Sequence, residues 1–364
     1  MDIPTKELSS QLIKLDISDL LECIENSEKS TEFTNLFKNS RDLSTVIEMR
    51  NFHNWIKSTM IINITDYYRK SQNQRNGNKI ALLDISVGRG GDLAKWDKAF
   101  ITHVFGFDPS VESINSKNSK NPGARERLKN YIFQNSALKK SNIVYKVGNA
   151  IIPTGGSGIP NVLEDIKKFL ESKSLNGFDL VSCQFSIHYF FVSEVALRNV
   201  LSFVSACLKS GGYFFGTGID GKQIINYFNL AGNAEVIRGK LYEIERFFDI
   251  DINLNKKPFG NKYNFTIFDK FDQTNYFNTI EKSTEYLVNF DTLVRIAKEY
   301  SLEPVNINFF EKSVSNYNYT NFNGNIINFK EIYNMGKWTP KSQPITNDEL
   351  QISFLNSTFV FQKK

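Results

Sequence analysis

The segment LLDISVGRGGDLAKW, residues 82–96, concentrates residues able to contact a charged ligand. An apolar run ends on the carboxylate of Asp84, a turn carries Gly88, Gly90 and Gly91, and a helical pattern starts at Asp92. Glycine admits positive φ and close backbone approach, and a helix start turns unpaired N–H groups toward an anion. A dinucleotide loop would need a third glycine for close helix packing. Leu93 stands there instead, and Asp92 would face a pyrophosphate. S-adenosylmethionine suits the loop better, because its carboxylate matches the helix start and its cationic parts match Asp84. Asp108, 24 residues after Asp84, ends a second apolar run and suits a ribose diol as a two-oxygen acceptor. The competing readings are a buried turn former at Asp84 and an Asx turn before Pro109 at Asp108.

Elements that would hold these residues at one edge are legible around them. Apolar runs predict strands over Ile80–Ser86, His103–Asp108, Ile143–Gly148, Phe178–Phe185 and Gly212–Thr217. Amphipathic segments predict helices over Asp92–Phe100, around Arg125–Phe133, over Asn161–Glu171 and over Ser193–Lys209. Strand–helix alternation gives a parallel sheet with helices on both faces, and ligands sit beyond the carboxyl ends of its strands where chain order reverses. Helical spacing also covers Thr45–Arg69, after which SQNQRNGNK (71–79) reads as a loop. Residues 115–122 read as a polar loop. Residues 153–160 are Gly-rich, lack the Lys-Ser/Thr ending of a phosphate loop, and read as a connector. Beyond about Leu241 the pattern turns strand-rich, with Tyr263–Phe268, a helix Phe290–Tyr300 and a terminal strand near Ser353–Phe361. The expected fold is α/β. It is a Rossmann-like class I S-adenosylmethionine-dependent methyltransferase architecture, with a central, mostly parallel sheet flanked by helices and a strand-rich carboxyl-terminal extension. The expected organisation is a helical extension over 1–45 and a methyltransferase domain over 46–364.

Bulk properties narrow the class. A chain of 364 residues can bury one large core or two small ones. Hydrophobic content of 41% with 23% charged residues is ordinary for a globular protein. The sequence lacks the long apolar run of a membrane span, and MDIPTKELSS does not read as a signal peptide. Cys23, Cys183 and Cys207 are too scattered for a disulfide framework or a zinc site, and three histidines add no metal-ligand pattern. A net charge of +5 is compatible with an anionic partner without requiring one.

Four segments stand in order along the chain: RNFHNWIKS (50–58), LDISVGRGGDLAKW (83–96), FDLVSCQFSIHYFF (178–191) and TEYLVNF (284–290). Together they resemble messenger RNA cap guanine-N7 methyltransferases. The third segment is the most specific, because generic methyltransferases do not share Ser-Cys-Gln-Phe followed by His-Tyr. The resemblance implies transfer of the methyl of S-adenosylmethionine to N7 of the cap guanosine, leaving S-adenosylhomocysteine and a capped, methylated mRNA 5′ end. It implies that Lys57 reaches the methionyl carboxylate and that Asp84, Gly88 and Asp108 hold the methionine and ribose parts. Asn149, where the family usually has Asp, would accept from the adenine amino group. Gln184 and Phe185 would flank the cofactor, while His188 and Tyr189 would line a cap pocket whose aromatic faces stabilise a cationic base. Glu285 would accept from guanine N1–H and the 2-amino group. The cap-binding elements would then come from about 180–190 and from 241–364. No metal and no acid–base catalyst is expected, because N7 has a free lone pair and no proton to lose.

Two segments, FGFDPS (105–110) and TGIDG (217–221), look closer to the capping enzymes of large cytoplasmic DNA viruses, in which triphosphatase and guanylyltransferase domains share the polypeptide. A viral enzyme would work in the cytoplasm or virion, a cellular one in the nucleus, and neither on a membrane. There are departures from the family pattern. Ile219 stands where cellular enzymes have Pro, and Asn356 falls where a cap-contacting Tyr is usual. Two rival classes remain open from sequence: a small-molecule methyltransferase on the same fold, and a non-catalytic RNA-binding or stimulatory capping subunit.

Overall fold

The computed structural model describes residues 45–72, 78–118, 122–133, 137–149, 161–268, 283–310 and 326–364. The expected helical extension (apart from Thr45), Cys23 and the Gly-rich connector lie outside the described residues, as does part of the 115–122 loop. A long helix α1 (Ile47–Ser71) leads into the sheet. Its residues Phe52, Ile56, Met60, Ile61 and Ile64 are buried at helical spacing against one sheet face.

The sheet strands are β1 (Ala81–Ile85), β2 (His103–Asp108), β3 (Ile143–Val147), β4 (Phe178–Gln184) and β5 (Leu208–Ile219). β1 is buried at every position, as expected for a strand covered on both faces. Leu82 packs toward α1, whereas Leu83 and Ile85 pack toward helix α6 (Glu194–Cys207), the two faces alternating along the strand. Later strands complete the sheet. These are β10 (Leu302–Pro304), β11 (Ile326–Asn328) and β12 (Asn356–Lys363), giving the order β10-β12-β5-β4-β1-β2-β3 with β11 on β12. β1 to β5 are parallel, and β12 runs antiparallel between β5 and β10. Chain order reverses between β1 and β4, so the ligand crevice expected of an open α/β sheet opens at their carboxyl ends. This is the expected class I methyltransferase architecture.

A second, antiparallel meander holds β6 (Val236–Arg238), β7 (Tyr242–Arg246), β8 (Lys262–Ile267) and β9 (Ser283–Tyr286). Its apolar side packs on helix α7 (Gly221–Leu230) and on Val46 and Met49.

Two boundaries of the sheet differ from the sequence expectation. The helix expected to reach Lys209 stops at Cys207, because Leu208 already has extended backbone and β5 starts there, slipping register against β4 near Gly211 and Gly212. The terminal strand starts at Asn356, since Ser353 belongs to helix α10 (Asn347–Phe354). Glu285 lies on β9, ahead of helix α8 (Phe290–Glu299).

Two buried carboxylates fasten the framework away from the crevice. Glu48 accepts from the backbone N–H groups of Lys341 and Ser342 and from the Ser342 hydroxyl. Asp179 accepts from Tyr68 Oη at 2.5 Å, from the Ala81 N–H at 2.7 Å and from Lys209 Nζ at 2.8 Å. It ties α1, β1, β4 and β5 together at the amino end of β4. Removing the acid strands two buried donors and releases the partly exposed ammonium of Lys209. Asp179→Ala should therefore cost about 2–5 kcal/mol in urea denaturation. Unchanged stability would show that the carboxylate is not a framework tie.

Candidate active site

Four charged side chains converge where β1 meets α1. Lys57 Nζ lies 2.7 Å from Asp92 Oδ1, and Lys95 Nζ lies 2.8 Å from the same oxygen. Lys57 comes from the middle of α1, while Asp92 and Lys95 stand at the start of the short helix α2 (Leu93–Lys98), one turn apart. Burial pushes the Asp92 carboxyl up, but the two ammonium groups outweigh it and hold the group at about 2. Two ammonium groups on one carboxylate leave a positive charge over.

Asp84 is the counterpart. It is 2% exposed at the end of β1, and among the described residues its carboxylate accepts no hydrogen bond. Burial first, then the nearby charge of Asp92, pushes its carboxyl well above the usual carboxylate range, while Lys57 and Lys95 pull the other way. A turn former would have its oxygens on backbone N–H groups, so that reading of Asp84 fails.

The loop between them is built to approach a ligand. Gly88 has φ of +52°, and a Cβ there would meet nothing within 4 Å. Ser86, at the end of β1, holds φ of 63° without being glycine, a conformation costing about 1–3 kcal/mol and characteristic of ligand sites. Gly88 N–H donates to Asp108 Oδ2 at 2.8 Å, and Ser110 N–H donates to Asp108 Oδ1 at 2.9 Å. Asp108 is thus an Asx-turn acceptor and also braces the glycine loop. Asn149 is buried just beyond β3, pairing in an isolated bridge with Asn161.

On the other side of the crevice, Gln184 ends β4 and is oriented by its neighbours. Its Nε2 donates to Ser182 Oγ, and its Oε1 accepts from Thr217 Oγ1 at 3.1 Å. Phe185 follows with φ of 54°. Its N–H donates to the Thr217 carbonyl, and its ring stacks on His53 at 5.3 Å. Lys57 Nζ stands 6.0 Å from the same ring, so α1 and β4 meet across the crevice. Burial and the Lys57 charge lower the His53 imidazole to about 3, which keeps it neutral.

One turn further, within the 3-10 segment Ile187–Val192, lie His188 and Tyr189, with ring centroids 4.1 Å apart. Glu285 reaches them from β9. Its Oε1 is 3.9 Å from His188 Nε2, and its Oε2 accepts from Tyr263 Oη at 2.7 Å. His188 is buried, and neither ring nitrogen has a hydrogen-bond partner among the described residues. Burial lowers the imidazole below its ordinary value, with Glu285 opposing. A buried imidazole without partners is costly unless something else supplies them.

Asn356 is not placed as a substrate contact. It is 3% exposed, and its amide donates to the Ile352 and Ser353 carbonyls, closing the end of α10. Ile219 is buried in the meander core. Sequence reasoning passed over Asp92, Lys95, His53, Thr217 and Tyr263. The spacings His53-x-x-x-Lys57 and Asp92-x-x-Lys95 were readable as shared helix faces. Thr217 and Tyr263 carried no local signal, since their roles arise from strand pairing.

Among the described residues, no helix is long and apolar enough to cross a membrane and no group of three or more His, Cys, Asp or Glu is placed to hold a metal ion. Residues 25–364 match the family described as mRNA (guanine-N(7))-methyltransferase domain. An mRNA cap guanine-N(7) methyltransferase of Drosophila melanogaster is 31% identical over 73% of this chain and 55% of its own length. The mRNA cap guanine-N(7) methyltransferase 1 of Arabidopsis thaliana is 27% identical over 91% of this chain and 79% of its own. The chain therefore spans about half the length of the fly relative. Among solved structures, the CcbJ methyltransferase of Streptomyces caelestis matches with a TM-score of 0.46 and 10% identity, over 83% of this chain and 90% of that one. With the family match running through nearly all of its length, the chain belongs to the mRNA (guanine-N(7))-methyltransferase family.

Proposed function

We propose that this chain transfers the methyl group of S-adenosylmethionine to N7 of the guanosine cap of mRNA, with residues 46–364 as the catalytic domain. The observation that carries the reading is the meeting of His188, Tyr189 and Glu285. They come from chain segments nearly a hundred residues apart and meet beside the end of β4, where the buried His188 ring has no hydrogen-bond partner among the described residues. A small-molecule methyltransferase would need the glycine loop but not this cluster.

The donor set fits the methyl donor's charges. Asp84 offers an unengaged carboxylate to a cation, Lys57 carries the surplus positive charge toward a carboxylate, and Lys95 keeps Asp92 neutralised when Lys57 turns to the ligand. In this assignment Asp108 takes the ribose hydroxyls, Gly88 lets the backbone close on the ligand, and Asn149 takes the adenine amino group. Gln184 and Phe185 stand between the cofactor and the guanine. When bound, the sulfonium supplies an electrophilic methyl; the N7–carbon bond forms as the carbon–sulfur bond breaks, and S-adenosylhomocysteine leaves.

The protein's part is alignment, worth roughly 7–11 kcal/mol in favourable cases, and charge complementarity. Glu285 accepts from the donor edge of the guanine and offsets the positive charge that grows on the ring. Tyr189 presents a π face to that cation, and His188, neutral in its buried setting, contributes a ring N–H or lone pair. None of these residues has to move a proton.

The viral-type placement, with triphosphatase and guanylyltransferase domains on one polypeptide, has no comparable support. Asp220 of TGIDG has a sufficient local reason, capping α7 through the Lys222 N–H. The relatives described above are from fly and plant. The cellular activity, with its nuclear location, is the form proposed.

The deciding assay is methyl transfer to GpppG-ended RNA, with N7-methylated caps as control. Transfer to the unmethylated cap alone is expected, and no transfer to either would overturn the reading. Glu285→Ala and Tyr189→Ala should lower turnover while leaving S-adenosylmethionine affinity nearly unchanged in calorimetry. Equal loss of cofactor affinity in both would contradict the division of the site.

Asp84 should show a trade-off. Because its folded pKa is raised, the ligand-free protein is most stable with the acid protonated and loses stability as pH climbs above the ordinary carboxylate range. Asp84→Asn should stabilise the ligand-free fold at neutral pH by about 1–3 kcal/mol and abolish cofactor binding. In the parent, cofactor binding should release protons and tighten as pH rises above the ordinary carboxylate range, read by calorimetry in buffers of different ionisation enthalpy. Binding without proton release would contradict the upward shift of Asp84.

A further inference from the structure

Tyr263 and Glu285 stand directly opposite one another on β8 and β9, so their side chains leave the same face of the meander side by side. Tyr263 is fully buried, and its hydroxyl has one acceptor, Glu285 Oε2, at 2.7 Å. Burial and the adjacent carboxylate push the phenol well above its ordinary value, so it stays a donor throughout the working range. The other carboxylate oxygen is held loosely. Ser283 Oγ lies 3.5 Å from Oε1, at the outer limit of a hydrogen bond, and His188 Nε2 lies 3.9 Å away, beyond it.

From this asymmetry we propose that Tyr263 is a positioning residue for the purine-reading carboxylate. Its hydroxyl occupies one lone pair of Oε2 and sets the carboxylate plane, leaving Oε1 and the second lone pair of Oε2 directed at the guanine donor edge. The inference rests on the guanine placement proposed above. Glu has three rotatable side-chain bonds, and freezing them on binding weakens affinity. A carboxylate already anchored at one oxygen avoids most of that loss. Anchoring also favours two-donor recognition. Guanine offers N1–H and a 2-amino group in one plane, and both are satisfied together only when the carboxylate lies in that plane. Inosine keeps N1–H and lacks the amino group. Tyr263 therefore contributes to guanine-over-inosine selectivity without touching the base.

The test measures kcat and KM for GpppA- and IpppA-capped RNA with the full chain, in the parent, Tyr263→Phe, Glu285→Gln and the double variant. Tyr263→Phe should raise KM for the guanosine cap about tenfold, equivalent to ~1.4 kcal/mol. It should change the inosine cap much less, leaving kcat and S-adenosylmethionine affinity near parental values. The double variant should be no worse than Glu285→Gln alone, because Tyr263 acts only through that carboxylate. Tyr263→Met, smaller but flexible and also without a hydroxyl, should reproduce the pattern and guards against a packing artefact of Phe. Parental selectivity in both Tyr263 variants, or additive losses in the double variant, would overturn the role of Tyr263. A Glu285→Gln variant with parental KM for the guanosine cap would instead overturn the guanine placement itself, and the inference with it.

Discussion

Three carboxylates meet at the carboxyl ends of β1 and β2, and the rest of the site follows from how differently each is satisfied. Asp108 receives two backbone N–H groups, and Asp92 receives two ammonium groups. Asp84, equally buried, receives no hydrogen bond from the described residues. A buried carboxyl in that position either keeps its proton or acquires a cation. The fold thus sets a carboxyl without a donor beside a lysine with charge to spare. A zwitterionic ligand answers both at once, and the strained backbone of Ser86 and the open side of Gly88 bring the main chain close enough to use them.

The two halves of the crevice are assembled by different means. The half proposed to hold the methyl donor comes mainly from strand-to-helix loops of the parallel sheet, where side chains at strand ends fall together because neighbouring strands run the same way. The half proposed for the guanine draws on a second sheet. β9 carries Glu285 to the 3-10 segment after β4, and β8 supplies the phenol that fastens it.

That contrast also explains what the sequence disclosed. Asp84 and Asp108 were legible because each closes a strand whose apolar run marks it, and Gly88 because it sits in a glycine-rich turn. Lys57, Gln184 and His188 were legible only through motif resemblance, since a helix lysine, a strand-end amide and a core histidine have commoner explanations. The meander was visible as a strand-rich region, but its pairing was not, because register across loops of differing length leaves no local trace. Tyr263 and Thr217 were hidden for that reason. Asn356, which falls where the family usually has a tyrosine, is spent closing α10, a need that becomes visible only once Ser353 is known to be helical.

β12 lies between β5 and β10 and pairs with β5 over seven residue positions, from Asn356↔Ile219 to Gln362↔Tyr213. During synthesis, therefore, the flank of β5 stays bare until residues 356–363 have left the ribosome. A nascent chain has more than a hundred residues still to add while that row of backbone groups is open to other strands. Chaperone protection of this margin, or delayed compaction of the whole sheet, is built into the order in which the polypeptide is made.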